Sequence, residues 1–248
     1  MITFDDVSFA YQGGIPDGSE PPALRHIHFH AERGECIVLC GKSGCGKTTM
    51  LRMVNGLVPN FYQGRLEGDI TVGNVHIKEA SLPQVAAVVG SVFQNPRTQF
   101  FHLDTTGEMA FNMENLNIPH DKMVERLKET AWKLDIQTLM DRDIFQLSGG
   151  EKQQIACGSV YASMPEVIVM DEPSSNLDME SIRKLQDLIR TMKDEGKTIL
   201  ISEHRLWYLE DIADRYVLLK DGQIENEFTS DEILALSLQE LEQSGLRA

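Results

Sequence analysis

Gly41-Lys42-Ser43-Gly44-Cys45-Gly46-Lys47-Thr48-Thr49 follows the apolar run Cys36-Ile37-Val38-Leu39-Cys40 and opens a helical stretch, Met50-Leu51-Arg52-Met53-Val54. Strand, glycine loop and helix are the context that a phosphate-binding loop requires. Gly41, Gly44 and Gly46 let the backbone curl so that successive N–H groups point inward at an anion. The helix starting near Lys47 adds its positive dipole end, and the Lys47 ammonium can reach terminal phosphates. Thr48 offers a hydroxyl to magnesium, a cation that keeps much of its water and takes few protein ligands. A glycine-rich turn with an exposed lysine is the bland alternative. The full G-x-x-x-x-G-K-[ST] pattern placed after a strand argues against it, and the stretch reads as a nucleoside triphosphate site.

Around that loop, the chain has 248 residues and a formal net charge of −15, enough for one domain with a lobe or two small domains. An acidic chain repels polyphosphate backbones at long range, so nucleic acid is not the expected partner. The four cysteines (Cys36, Cys40, Cys45, Cys157) follow no disulfide or zinc spacing, and Cys45 sits inside the phosphate loop. A reducing, cytoplasmic compartment fits that pattern. The start, Met1 to Asp6, lacks the basic and apolar regions of a secretory signal. The longest apolar stretch, Val85 to Phe93, is far short of the roughly 20 residues of a membrane span, so a membrane role requires a partner.

In chain order, residues 2 to 11 alternate loosely and read as a strand, Gly13 to Pro22 as a loop, and Leu24 to His30 as the returning strand. His26, His28 and His30 share one face of it; with no carboxylate or cysteine placed to complete a metal site, they read as a half-exposed sheet face. Gly56 to Gly64 is a turn-rich break, and Leu66 to Ile77 is further β-structure. Val85 to Phe93 has the β-branched continuity of a strand buried on both faces, ending at Gln94-Asn95-Pro96. Met123, Val124, Leu127, Ala131 and Leu134 then recur at helical spacing, which predicts a helical lobe over about 98–158.

Leu147-Ser148-Gly149-Gly150-Glu151 opens another helix and makes a second anion-binding surface. One chain with one phosphate loop has no evident use for it, unless it closes over the nucleotide of another copy. Val167 to Met170 is an apolar strand ending in Asp171-Glu172-Pro173. A carboxylate at the end of a buried parallel strand beside a phosphate loop can orient magnesium and its waters, and Glu172 can accept a proton from an attacking water. Ser174 to Asp178 is a polar loop, Ile182 to Met192 a helix stopping at Gly196, and Thr198 to Ile201 a buried strand before Ser202-Glu203-His204. Tyr216 to Leu219 reads as the last strand, and Thr229 to Glu232 has capping-box spacing for a terminal helix towards Gln243.

Tyr11, the phosphate loop, Gln94, L-S-G-G-E-K-Q, V-I-V-M-D-E-P, S-N-L-D and His204 stand in an order that resembles the ATP-binding-cassette (ABC) ATPases, from about Ile2 to Gly222. L-S-G-G discriminates that family from other phosphate-loop proteins. N-G-L-V-P-N-F-Y-Q-G (Asn55 to Gly64), F-Q-N-P-R-T-Q-F-F (Phe93 to Phe101) and L-S-G-G-E-K-Q are similar to the ATPase subunits of energy-coupling-factor (ECF) transporters, which import vitamins and transition-metal ions in prokaryotes. The resemblance implies an α/β phosphate-loop NTPase core with an N-terminal antiparallel β-subdomain and an inserted helical subdomain. Residues 1–228 would form the nucleotide-binding domain and 229–248 a short helical extension.

The resemblance also implies roles. Tyr11 would stack on adenine, and Gly41, Lys42, Ser43, Gly44, Cys45, Gly46, Lys47, Thr48 and Thr49 would wrap the phosphates of ATP. Thr48, Gln94 and, through water, Asp171 would hold Mg2+, with Glu172 as base and His204 on the γ-phosphate. Ser148, Gly149, Gly150 and Glu151 would serve the partner's ATP, and Asp178 would lie at the dimer seam. The implied partners are a second ABC ATPase subunit (identical or paralogous), an integral membrane coupling subunit and a substrate-binding membrane subunit, at the cytoplasmic face of a prokaryotic membrane. Gln154, where relatives often carry arginine, departs from the pattern. Two other readings are an ordinary ABC importer or exporter and a soluble ABC protein acting on ribosomes or DNA. The single cassette and the acidic charge weigh against the soluble protein, and the Phe93 to Phe101 segment weighs against the ordinary transporter.

Overall fold

The structure, a computed structural model, describes residues 1–12 and 22–236. In chain order the strands are β1 (Ile2–Tyr11), β2 (Leu24–Ala31), β3 (Cys36–Cys40), β4 (Gly64–Val72), β5 (Val75–His76), β6 (Val89–Val92), β7 (Val167–Asp171), β8 (Thr198–Ser202), β9 (Arg215–Lys220) and β10 (Gln223–Thr229). The α-helices are α1 (Lys47–Val54), α2 (Leu57–Asn60), α3 (Leu82–Ala86), α4 (Thr105–Asn115), α5 (His120–Lys133), α6 (Gly149–Ala162), α7 (Met179–Asp194) and α8 (Ser230–Leu234).

Two sheets result. The first is antiparallel, ordered β2-β1-β4-β5; the second is ordered β10-β9-β3-β8-β7-β6, parallel except for β10. Every residue of β3 and β8 is buried, which is why these strands read as unbroken apolar runs rather than alternating ones. Alternate residues of the parallel strands divide between two cores. Val38, Ile168, Met170, Ile199 and Ile201 face α6 and α7, while Ile37, Leu39, Val169 and Leu200 face α1 and the antiparallel sheet. The period-2 pleat thus seats α1, with the phosphate loop at its start, between the two sheets.

Helices α4, α5 and the start of α6 occupy the predicted helical stretch, but α6 runs on to Ala162 and packs against β6 and α7 as well as α4. On α5 only Thr130 and Ala131 are buried, with Leu134 buried just beyond its end; Met123 and Leu127 are half-buried and Val124 is exposed.

Several expectations need correction. Val85 to Phe93 is not one strand: Val85 and Ala86 end α3, and only Val89–Val92 pair with β7. Gln84 Oε1 accepts hydrogen bonds from Ser81 N (2.9 Å) and Ser81 Oγ (2.8 Å), and Pro83 lies in the first turn, so local helix-start chemistry overrides the β-branched run. The break at Gly56 to Gly64 contains the four-residue α2. Tyr216 to Leu219 is not the last strand, because the chain turns at Asp221-Gly222 and β10 pairs back antiparallel on β9. Its sequence, Gln-Ile-Glu-Asn-Glu-Phe-Thr, is polar because it is the sheet's exposed edge.

Carboxylates do stand beside the histidine face, with Asp6 Oδ1 2.8 Å from His26 Nδ1 and 3.5 Å from His28 Nε2. Among the described residues no group of three or more His, Cys, Asp or Glu is arranged to hold a metal ion. Thr229 and Glu232 cap α8 reciprocally, at 2.8 Å and 3.3 Å. Its expected continuation to Gln243, the last 12 residues of the extension and most of the Gly13 to Pro22 loop lie outside the described residues. No helix among the described residues is long and apolar enough to cross a membrane.

Candidate functional site

The loop between β3 and α1 has no room for a side chain at its first residue, Gly41. Gly41 has φ +133°, and a Cβ there would lie 2.2 Å from the Leu219 carbonyl oxygen. At that position only backbone can face whatever the loop receives. Lys47, the first residue of α1, is 4% exposed. Its ammonium donates to the carbonyls of Gly41 (2.8 Å) and Lys42 (3.2 Å), and no carboxylate among the described residues pairs with it. The Cys45 thiol, 3.9 Å away, is no counter-ion, because burial pushes its pKa up. A buried cation at the positive end of a helix, held only by neutral acceptors, is electrostatically unbalanced. An anion corrects that imbalance.

The remaining groups arrive at the carboxyl ends of neighbouring parallel strands, where open α/β sheets receive ligands. Asp171 ends β7 and accepts from Thr48 Oγ1 at 3.1 Å. The next residue, Glu172, has φ +44° and its N–H is bonded to the Ser202 carbonyl at 2.9 Å. From β6, Gln94 Nε2 donates to Glu172 Oε2 at 2.9 Å; from β8, His204 Nε2 lies 3.4 Å from Glu172 Oε1. Gln94, Glu172 and His204, separated by up to 110 positions, thus meet around one half-buried carboxylate. Hard oxygen donors from Thr48 and Asp171 meet beside the phosphate loop, a set suited to magnesium.

Clefts flank the loop on both sides. One of about 370 Å³ is lined by Thr48, Arg52, Tyr62, Gln94 and Asp171 among others. Another of about 450 Å³ is lined by Lys42 to Cys45 and the β9–β10 turn. A hollow of about 550 Å³ lies against His26, His28 and Lys220, and holds none of these groups. The Tyr11 ring meets Phe9 (4.8 Å) and Tyr62 (6.2 Å) edge-on. The Tyr11 hydroxyl lies 3.1 Å from Thr49 Oγ1 and accepts from Arg52 NH1 at 3.2 Å.

Ser148 to Glu151 form a second, separate group. Ser148 Oγ accepts from Glu151 N (3.2 Å), while Glu151 accepts from Ser148 N (2.7 Å) and from Arg142 NH1 (2.9 Å). The backbone N–H of Ser148 is the main cause holding the Glu151 pKa below its ordinary value. A Cβ on Gly150 would lie 2.1 Å from Ser181 Oγ, so glycine is what lets the starts of α6 and α7 abut. Asp178 caps α7 at Ser181 N, 2.8 Å. No hydrogen bond or ion pair among the described residues joins Ser148 to Glu151 with Gly41 to Thr49.

Three residues beside the site were not singled out from the sequence: Glu203, Arg205 and Tyr208. Glu203 is 2% exposed and accepts from the N–H groups of His204 (2.7 Å) and Arg205 (3.2 Å) and from the Tyr208 hydroxyl (2.8 Å). The signal was present, a carboxylate directly after a fully buried strand, but its partners are chosen by the turn that follows.

A profile of the family described as ABC transporter matches residues 24–175. A Treponema denticola protein named as an ABC transporter ATP-binding protein is 48% identical over 224 residues, 90% of this chain and 45% of its own length. One from Methanosarcina mazei is 35% identical over 225 residues, covering 90% of this chain and 37% of its own length. The chain thus spans half or less of the length of these relatives. Among solved structures, cbiO1 from Clostridium perfringens, part of the ABC transporter complex cbiONQ, superposes with a TM-score of 0.83 at 25% identity, covering 98% of this chain and 92% of that one. The cassette MJ0796, a dimer bound to ADP and Pi in a post-hydrolysis state, shares the fold with a TM-score of 0.78 at 23% identity, covering 93% of this chain and 99% of its own. The matched profile and these relatives place the chain in the ABC transporter family of ATP-binding proteins.

Proposed function

We propose that the chain pairs head to tail with a second cassette, identical or paralogous, and that the pair's ATP hydrolysis powers import of a vitamin or metal ion through ECF-type membrane subunits. Residues 1–228 are the nucleotide-binding unit of this reading and 229–248 its extension. The observation that supports the pairing is that no hydrogen bond or ion pair among the described residues joins the Ser148 helix start to the phosphate loop of its own chain. Each group is anion-receptive, and each is half of a site, so Ser148 to Glu151 serve the nucleotide of the other cassette, with Asp178 at the seam.

In the site so formed, the loop N–H groups and Lys47 bind the phosphates, and the Tyr11 ring takes the base, its hydroxyl held by Arg52. Thr48, Asp171 through water, and Gln94 would hold magnesium, which when bound offsets charge on the phosphates. Glu172 takes the proton of the attacking water, oriented by Gln94, and His204 donates to the γ-phosphate. The import reading is supported by the likeness to cbiO1 and by the segment after Gln94, where Phe101 is 73% exposed and stacks on Phe111 (4.8 Å, 25°). Phe100 is half-buried against the core, which leaves Phe101 as the anchor for a membrane subunit's short helix at the cytoplasmic face.

The test is copurification from detergent-solubilised membranes of a prokaryotic host expressing the chain with its chromosomal neighbours. Multi-spanning membrane proteins retained with the chain and stimulating its ATP turnover support the proposal. A ribosome, or a chain that purifies without membrane proteins, refutes the import role.

A further inference from the structure

His204 stands on a turn whose geometry is set by a buried carboxylate and by one arginine. Both N–H groups of the turn, those of His204 and Arg205, go to Glu203 Oε1, and the other carboxylate oxygen accepts from the Tyr208 hydroxyl. Burial and the neighbouring Glu203 carboxylate push the Tyr208 pKa well above its ordinary value, so the phenol keeps its proton and donates. From the same turn the Arg205 guanidinium reaches across to the loop that follows Glu172: NH1 donates to the carbonyls of Ser174 (3.2 Å) and Leu177 (3.5 Å). That loop is tied to Glu172 by Ser175 N donating to the Glu172 carbonyl at 3.1 Å, and is turned by Leu177 N donating to the Ser174 carbonyl at 3.2 Å.

The contacts close a ring: Glu172, the Ser174 to Leu177 loop, Arg205, the Glu203 turn, His204, and back to Glu172 at 3.4 Å. We propose that Arg205 is a positioning residue for ATP hydrolysis, joining the Glu172 loop to the His204 turn so that the imidazole and the carboxylate keep one spacing. The proposal rests on hydrolysis at this site and not on the identity of any membrane partner. Glu172 needs such an external tie, because its φ of +44° is one that a non-glycine residue holds only when its surroundings impose it. Arginine suits this position because its guanidinium stays charged and one planar nitrogen serves two carbonyls.

The experiment compares wild type, Arg205→Met, Arg205→Lys and Tyr208→Phe as purified full-length chains. It measures steady-state ATP turnover, binding of a fluorescent ATP analogue and thermal melting. The expected result is a kcat about tenfold lower in Arg205→Met, since small misplacements of reacting groups are costly, with KM and analogue binding within about twofold of wild type. Arg205→Lys, which keeps a cationic donor, recovers part of kcat. Tyr208→Phe, which removes one donor from the buried Glu203, lowers kcat in the same sense and decides the matter if Arg205→Met does not fold. Wild-type kcat in folded Arg205→Met or in Tyr208→Phe overturns the proposal. So does a parallel loss of kcat, analogue binding and melting temperature with no recovery in Arg205→Lys, because that pattern is a general loss of structure. The transport reading stands or falls on copurification, independently of these values.

Discussion

In the proposed reaction, replacing Glu172 by Gln isolates proton transfer from everything else the residue does. Glu172 Oε2 accepts from Gln94 Nε2 and Oε1 lies 3.4 Å from His204 Nε2. A glutamine of the same shape keeps both neighbours, since the Gln94 amide can turn to present its oxygen and His204 can change tautomer. The structural cost is therefore less than about 1 kcal/mol, and the melting temperature should stay within about 4 °C of wild type. Loss of a positioned base lowers turnover by about 10² to 10⁴-fold. At 1.36 kcal/mol per decade, that is roughly 2.7 to 5.4 kcal/mol of transition-state stabilisation, well above the structural term. The assay is phosphate release at saturating Mg-ATP, with nucleotide binding and gel filtration in parallel. Binding persists, turnover collapses, and an ATP-dependent dimer accumulates. Hydrolysis near the wild-type rate refutes the assignment of Glu172 as base; lost ATP binding refutes the claim that the swap spares the site.

Ser148→Arg is expected to suppress turnover without weakening ATP binding to the isolated chain, and mixing it with Lys47→Ala chains should restore one working site per pair. No recovery in verified mixed dimers, if one site is enough for turnover, counts against the head-to-tail arrangement. Phe101→Ala should weaken capture of membrane subunits in a pull-down while melting and ATP binding hold, because its ring is 73% exposed; full capture by the folded variant removes the role given to that segment. Phe100→Ala, in contrast, should lower the melting temperature, because that ring packs against the core. The Glu151 pKa is held below its ordinary 4.5, so its contribution to stability is present above pH 4.5 and is lost as pH falls through the folded value. Thermal melts from pH 6 to pH 3 should therefore fall less steeply for Glu151→Gln than for wild type, and an unchanged slope would contradict the cap's role.

Much of this molecule was legible in one dimension because the chemistry needed there is local. The phosphate loop is contiguous: glycines, lysine and threonine within nine positions, bracketed by a strand and a helix, are enough to specify it. The buried strands β3, β7 and β8 announced themselves as apolar runs because both of their faces are covered. The Ser148 and Thr229 helix starts followed from side chains that satisfy their own backbone. Local signals also competed, and one was missed. The Ser81 to Gln84 helix start outweighed the β-branched run at Val85, while the polar β10 gave no period-2 pattern because it forms an exposed edge.

What no stretch of sequence carries is convergence. Order of motifs placed Gln94, Asp171, Glu172 and His204 in one family's pattern, but their meeting depends on the strand order β3-β8-β7-β6, in which parallel pairing sets the carboxyl ends of β6, β7 and β8 side by side although long stretches of chain separate them. Parallel pairing decides that order, through contacts between residues up to more than a hundred positions apart. The separation of Ser148 from Lys47 and the reach of Arg205 to Ser174 are decided there too. They depend on how α6 and α7 pack on the sheet, and burial of apolar faces, which sets that packing, is non-directional until the whole core is assembled.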